Sequence, residues 1–114
     1  MTIFALSTGS VKSGIAIIRI SGPDTKKVLT KITKISLPNP RKANLCNIYN
    51  HENDELIDQG MLIWFPGPNS YTGEDLAELH IHGSKAIIST LLASLSKIED
   101  CRMAELCHST IFYL

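Results

Sequence analysis

The segment that decides the fold runs from Gly14 to Lys34 and has the sequence GIAIIRISGPDTKKVLTKITK. Its first part, Gly14 to Ser21, is dense in β-branched residues and predicts one strand that is buried on both faces. A Gly-Pro pair ends this strand, and Asp24 is placed to cap a helix or to face its dipole. Apolar residues then recur at helical spacing, with lysines on the other side. The segment therefore predicts a strand followed by a helix that ends near Lys34.

Further elements flank this strand and helix on both sides. The sequence predicts strands over Ile3–Thr8, Lys42–Asn50, Leu56–Phe65, Leu76–His82 and Cys101–Leu106, and a helix after Gly83-Ser84. The second and third of these strands form a hairpin. Two helices are too few for a doubly wound parallel fold. We therefore expect an α+β, two-layer fold, with a mixed or antiparallel sheet and about two helices packed on it.

Composition limits the classes of function. The chain has 114 residues, so it is expected to form one domain. Its eleven basic and eleven acidic side chains give formal net charge +0, so it is not expected to hold nucleic acid or a membrane surface by bulk charge. No apolar run approaches the roughly 20 residues of a membrane span, and no secretory signal is apparent. The three cysteines have no Cys-x-x-Cys spacing. A disulfide framework is therefore not expected, and we expect a cytoplasmic protein.

Arg19 is the one charged residue within the apolar strand of Gly14–Ile20. A buried guanidinium requires a carboxylate, a ligand anion or a route to water. Two interpretations follow from the pattern: Arg19 reaches solvent or an acid for structural reasons, or it binds an anionic part of a ligand.

A polar stripe is expected on the strand that ends at His82. Alternation places Glu78, His80 and His82 on one face, with an apolar set on the other. Three interpretations compete: a metal site, a ligand-facing stripe in which Glu78 accepts from the N–H groups of a heterocycle, and a plain solvent-facing surface. The metal site is geometrically awkward because the end Cα atoms of such a triplet lie about 13 Å apart.

Two further segments have alternative interpretations. The turn-rich Pro66–Gly73 segment is either a ligand lid or a connector. Gly83-Ser84 either receives an anion at the start of a helix or simply caps that helix. The sequence contains no G-x-x-x-x-G-K-S/T phosphate loop, so nucleotide hydrolysis is not encoded in this chain.

Four strings together resemble the N-terminal domain of the TrmE family, also called MnmE, of tRNA modification GTPases. They are IIRISGP (Ile17–Pro23), IDQG (Ile57–Gly60), PGPNSYTGED (Pro66–Asp75) and ELHIHG (Glu78–Gly83). They stand in the family's order and at its distances. The resemblance covers residues 2 to 105, so we assign 1–105 to a folate-binding domain of this type.

The resemblance implies a fold related to the tetrahydrofolate-binding, GcvT-like domains of one-carbon enzymes. It also implies binding of 5-formyltetrahydrofolate or a related tetrahydrofolate, and a homodimer with folate pockets near its interface. Carried over by position, the folate-contacting arginine falls on Arg19 and the glutamate falls on Glu78. In the whole family, a GTPase domain and the FAD-dependent partner MnmG (GidA) act with this domain on the wobble uridine of tRNA. No GTP, potassium or magnesium site is expected in this chain.

The end of the chain departs from the family. Residues 106–114 (LCHSTIFYL) match nothing in the family's usual continuation, which carries another folate-contacting lysine. We therefore expect a truncated or frame-shifted tail. Two alternatives to a folate-binding domain remain: a structural remnant that folds without binding folate, and a metal-dependent hydrolase using Glu78, His80 and His82.

Overall fold

The computed structural model describes residues 1–7 and 14–104 and contains two helices and six strands in this range. In chain order they are β1 (Thr2–Leu6), β2 (Ile15–Ser21), α1 (Thr25–Thr33), β3 (Asn44–Tyr49), β4 (Leu56–Phe65), β5 (Leu76–His82), α2 (Lys85–Ser96) and β6 (Cys101–Met103). Every predicted strand and helix is confirmed. The predicted ends at Thr8 and Leu106, and the tail over 106–114, lie outside the described residues.

The strands form a single mixed sheet in the order β3-β4-β5-β2-β1-β6. All neighbouring pairs are antiparallel except β1 and β6, which are parallel. The helical connection from β5 through α2 carries the chain across the sheet to β6 at its far edge. This arrangement confirms the predicted α+β, two-layer fold with a mixed sheet.

The core lies between the sheet and the two helices. Both helices and one alternating set of strand residues share a single buried cluster, which shows that the helices pack on the same face. From α1 and α2 the cluster includes Val28, Leu29, Ile32, Leu91 and Leu95, and from the strands Phe4, Ile18, Ile20, Leu62 and Leu79. Neither helix within the described residues has the length and apolarity needed to cross a bilayer.

The prediction that β2 is buried on both faces is wrong. Ala16, Ile18 and Ile20 are fully buried against the helices, whereas Ile15 is 51% exposed. Ile17 and Arg19 are only partly buried. The physical reason is that both helices cover one face, which leaves the other without a helical layer. We call this second surface the open face, meaning the face of the sheet that carries Ile15, Ile17 and Arg19.

The start of each helix resolves an ambiguity in the sequence. The Ser84 side chain accepts a hydrogen bond from the Ile87 N–H at 3.0 Å, so Ser84 caps α2 itself. Asp24 occupies the N-cap position of α1 but makes no side-chain capping hydrogen bond. At the same end of α1, the Thr25 hydroxyl donates to the Gly22 carbonyl at 2.9 Å.

Candidate functional site

Arg19 and Glu78 meet on the open face. The register of β2 and β5 places them directly opposite each other, and Arg19 Nε donates to Glu78 Oε2 at 2.9 Å. Their side chains are 19% and 15% exposed. Of the two interpretations of Arg19, the structure supplies the acid, which is Glu78. Contact of either residue with a ligand stays a prediction.

His80 contacts the same carboxylate from the other side. Its Nε2 lies 3.1 Å from Glu78 Oε1, so the two carboxylate oxygens have different partners. Because an ionised carboxylate only accepts hydrogen bonds, this contact requires a proton on Nε2. Glu78 is therefore held from both sides, by Arg19 across the strands and by His80 along its own strand.

Apolar neighbours surround this pair. Ala5 lies opposite Arg19 on β1, Ile63 lies opposite Glu78 on β4, and Ile17 lies opposite His80. Hydrogen bonds and ion pairs are stronger next to apolar side chains than in bulk water because the effective dielectric constant is lower. The central strands thus hold the charged pair beside apolar neighbours on the open face.

A cleft of about 310 Å³ opens beside the pair. Its walls combine two arginines, one carboxylate, two aromatic rings and short polar side chains: Arg19, Arg41, Phe65, Asn69, Ser70, Tyr71, Leu76 and Glu78. This volume lies at the lower end of the range of about 300–1,000 Å³ that is typical of ligand sites. We refer to it as the first cleft.

The Pro66–Gly73 segment forms one wall of the first cleft and is tied to the sheet by hydrogen bonds. The Gly67 N–H donates to Asp75 Oδ1 at 3.0 Å, and the hydroxyls of Ser21 and Thr72 lie 2.9 Å apart. The Arg41 guanidinium donates to the Asn69 carbonyl. The segment thus lines a cleft as well as connecting β4 to β5, and its role as a ligand lid stays a prediction.

The His82 side chain contacts Asp58 and has no hydrogen bond to Glu78 among the described residues. Its Nδ1 lies 2.9 Å and 3.1 Å from the two oxygens of Asp58, which also accepts from the His82 backbone N–H at 2.9 Å. Partial burial alone would raise the pKa of Asp58. The hydrogen bonds from His82, with help from the Gln59 backbone, outweigh that effect and hold the pKa of this carboxyl below its ordinary value of 3.8.

The metal-site interpretation of Glu78, His80 and His82 finds no support. In the part of the chain that the structure describes, no group of three or more His, Cys, Asp or Glu side chains is arranged to hold a metal ion. Each imidazole is instead bonded to a carboxylate, His80 to Glu78 and His82 to Asp58. The two histidines also line a second, neighbouring cleft of about 250 Å³.

Sequence reasoning missed two contributors to the site, Arg41 and Phe65, which line the first cleft. Tyr71 lies in the Pro66–Gly73 segment, for which a ligand lid was one interpretation. Arg41 lies between α1 and β3, where nothing in the sequence indicates that it contacts a loop 28 residues later. Phe65 had a detectable signal, since strand alternation places it on the same face as Ile63, opposite Leu76.

Comparison with known proteins gives a consistent result over nearly the whole chain. Residues 2–107 match the family model described as "GTP-binding protein TrmE N-terminus". The chain is 59% identical to the tRNA modification GTPase MnmE of Pelagibacter ubique, over 92% of this chain and 24% of that protein. It is 53% identical to the MnmE of Rhodopseudomonas palustris, over 91% of this chain and 23% of that protein.

A eukaryotic relative is also similar. The mitochondrial 5-taurinomethyluridine-tRNA synthase subunit GTPB3 of Danio rerio is 47% identical over 91% of this chain and 21% of that protein. The chain thus spans about a quarter of the length of the curated relatives that it matches.

Proposed function

The chain belongs to the family of TrmE N-terminal domains, and on that basis we propose that it binds a tetrahydrofolate of the 5-formyltetrahydrofolate type in the first cleft. The observation that carries the proposal is the Glu78 carboxylate, held by Arg19 at 2.9 Å in the wall of a cleft of about 310 Å³. When bound, a formyl-folate supplies a one-carbon unit.

The chemistry of Glu78 suits a pterin ring. A pterin presents adjacent N–H donors, and a carboxylate can accept two parallel hydrogen bonds from such a pair. An ionised carboxylate offers about four acceptor positions, which is more than the contacts to Arg19 and His80 use. The oxygens of Glu78 therefore retain capacity to accept from a ligand.

The other walls of the first cleft fit the rest of such a ligand. Phe65, Tyr71 and Leu76 provide flat and apolar surface of the kind that a heterocycle packs against. Arg41 is a cation at the same cleft, and guanidinium groups bind carboxylates well. Arg19 adds positive charge next to Glu78, where it can face a ligand carbonyl or carboxylate.

The proposal extends to the assembly. We propose that the domain forms a homodimer and that, with a GTPase domain and the FAD-dependent protein MnmG, it takes part in modifying the wobble uridine of tRNA in the cytoplasm. The names of the bacterial relatives, tRNA modification GTPases, support the tRNA role. Exposed apolar residues on the open face, Ile15 and Leu45, support association with a second copy.

Sedimentation equilibrium of the purified chain tests the dimer: a mass of one chain at all concentrations would contradict it.

Calorimetric titration with 5-formyltetrahydrofolate tests the folate proposal. We expect saturable binding by the wild-type chain and binding about 10- to 100-fold weaker in Glu78→Ala, since hydrogen bonds to a charged group contribute roughly 1.5–3 kcal/mol. Glu52→Ala is the matched control because Glu52 is exposed in the turn before β4. Failure of a folded wild-type chain to bind, or unchanged binding in Glu78→Ala, would overturn the proposal.

A further inference from the structure

To bind a ligand through both oxygens, the Glu78 carboxylate has to keep a fixed orientation. A single hydrogen bond to one oxygen does not fix that orientation. The terminal torsion of a glutamate is broad and roughly two-fold, so the carboxylate plane turns easily. Arg19 Nε donates to Oε2, at 2.9 Å. A second contact is therefore needed to hold the plane of the carboxylate.

His80 supplies that second contact. Its Nε2 lies 3.1 Å from Oε1, the oxygen that Arg19 Nε does not contact. Because β-strand side chains alternate, His80 lies on the same face as Glu78 two residues along β5. Its side chain is 28% exposed, and Ile17 lies opposite it on β2, so His80 is itself partly enclosed.

The location of His80 separates this role from direct ligand contact. The walls of the first cleft include Glu78 but, among the residues that the structure describes, not His80. His80 lies instead along the second cleft, with Met61 and Ile15. The contact through which His80 reaches the first cleft is therefore its hydrogen bond to the Glu78 carboxylate.

We infer that His80 is a positioning residue: its Nε2–H fixes the orientation of the Glu78 carboxylate and so sets the affinity of the first cleft for a heterocycle with adjacent N–H donors. This inference rests on the proposed folate binding. The gain comes from preorganisation, because the carboxylate loses less freedom when the ligand binds. The role needs an N–H donor at this position and does not need an ionisable group.

Two substitutions at His80 distinguish the effect of its N–H donor from the effect of its imidazole ring. His80→Leu removes the hydrogen bond, and we expect it to weaken binding of 5-formyltetrahydrofolate about tenfold. His80→Gln keeps an N–H donor at similar reach, and we expect its affinity to stay within about twofold of wild type. His82→Leu is the matched control, because His82 is on the same strand and bonds to Asp58 instead of Glu78. It is expected to bind as wild type does.

The outcomes distinguish this inference from the proposed function. Absence of binding by wild type would overturn both. Wild-type binding that His80→Leu leaves unchanged, or that His80→Gln weakens as much as His80→Leu does, would overturn only the role of His80. A measurement on the wild-type chain without ligand keeps the inference testable if a His80 variant does not fold. Long-range ¹H–¹⁵N spectra should show the proton of the His80 imidazole on Nε2. A proton on Nδ1 alone would contradict the inference.

Discussion

Arg19 and Glu78, which are 59 residues apart in the chain, lie directly opposite each other on β2 and β5 and form an ion pair at 2.9 Å on the open face of the sheet. Neither side chain is fully buried, and neither is freely solvated. The register of two paired strands thus sets the relative position of the two charges, and both residues line the first cleft.

The pair should be coupled energetically. Exposed ion pairs contribute about 0–1 kcal/mol, and breaking a buried pair costs about 3–5 kcal/mol. For this partly buried pair we expect a coupling free energy of roughly 1 kcal/mol between Arg19→Met and Glu78→Gln. Urea unfolding of the two single variants and the double variant measures it. Purely additive effects would show that the ion pair does not stabilise the fold.

Leu79 should be a major determinant of stability. It lies between Glu78 and His80 on β5, points to the helical side and is fully buried. We expect Leu79→Ala to lower the free energy of unfolding by about 2–5 kcal/mol, because the deletion leaves a cavity. Leu56→Ala is the control, since Leu56 is 59% exposed and its substitution should change stability by no more than about 0.5 kcal/mol. Equal losses for the two variants would contradict the described core.

The Asp58–His82 contact should make stability depend on pH. The pKa of Asp58 lies below its ordinary 3.8 in the folded chain because of hydrogen bonds from His82. A carboxyl with a lowered pKa stabilises the fold above its unfolded pKa, and the contribution is lost as the pH falls through the folded value. We expect Asp58→Asn to be less stable than wild type at pH 7, with the difference shrinking below about pH 4. Urea unfolding at both pH values measures it, and a constant difference would contradict the account.

The buried thiols should react slowly in the folded chain. Burial, and after it the negative charge of Asp24, raise the pKa of Cys101 to about 11, and burial raises the pKa of Cys46. At pH 8 about one Cys101 thiol in a thousand is then ionised, and the thiolate is the reactive form. In a Cys107→Ser background, we expect a disulfide reagent to label both thiols rapidly in urea and slowly in buffer. Rapid labelling in buffer would contradict their burial.

Local patterns predicted the secondary structure well because each pattern is set by near neighbours. Alternation in β5 placed Glu78 and His80 on one face, and the Gly83-Ser84 pair marked the start of α2. Whether one or both faces of β2 are buried could not be predicted in this way. Its apolar run is equally compatible with one covered face or two, and only the packing of both helices decides between them.

The site was predictable only in part for a related reason. Arg19 stood out as a charge in an apolar strand, but its pairing with Glu78 depends on strand order and register over 59 residues. Arg41 and Tyr71 reach the first cleft from irregular segments whose paths no periodicity specifies. The resemblance to the TrmE family singled out Arg19 and Glu78, and alternation placed His80 on the face of Glu78. The structure added the contact between His80 and Glu78.

The most direct test of the central claim is a map of backbone amide shifts of the ¹⁵N-labelled chain during titration with 5-formyltetrahydrofolate. We expect saturable shifts centred on Glu78, Leu76, Phe65 and Tyr71, which line the first cleft, and no comparable shifts on the solvent side of α1 and α2. Absence of saturable shifts, or shifts centred on the helices, would contradict a folate site on the open face of the sheet.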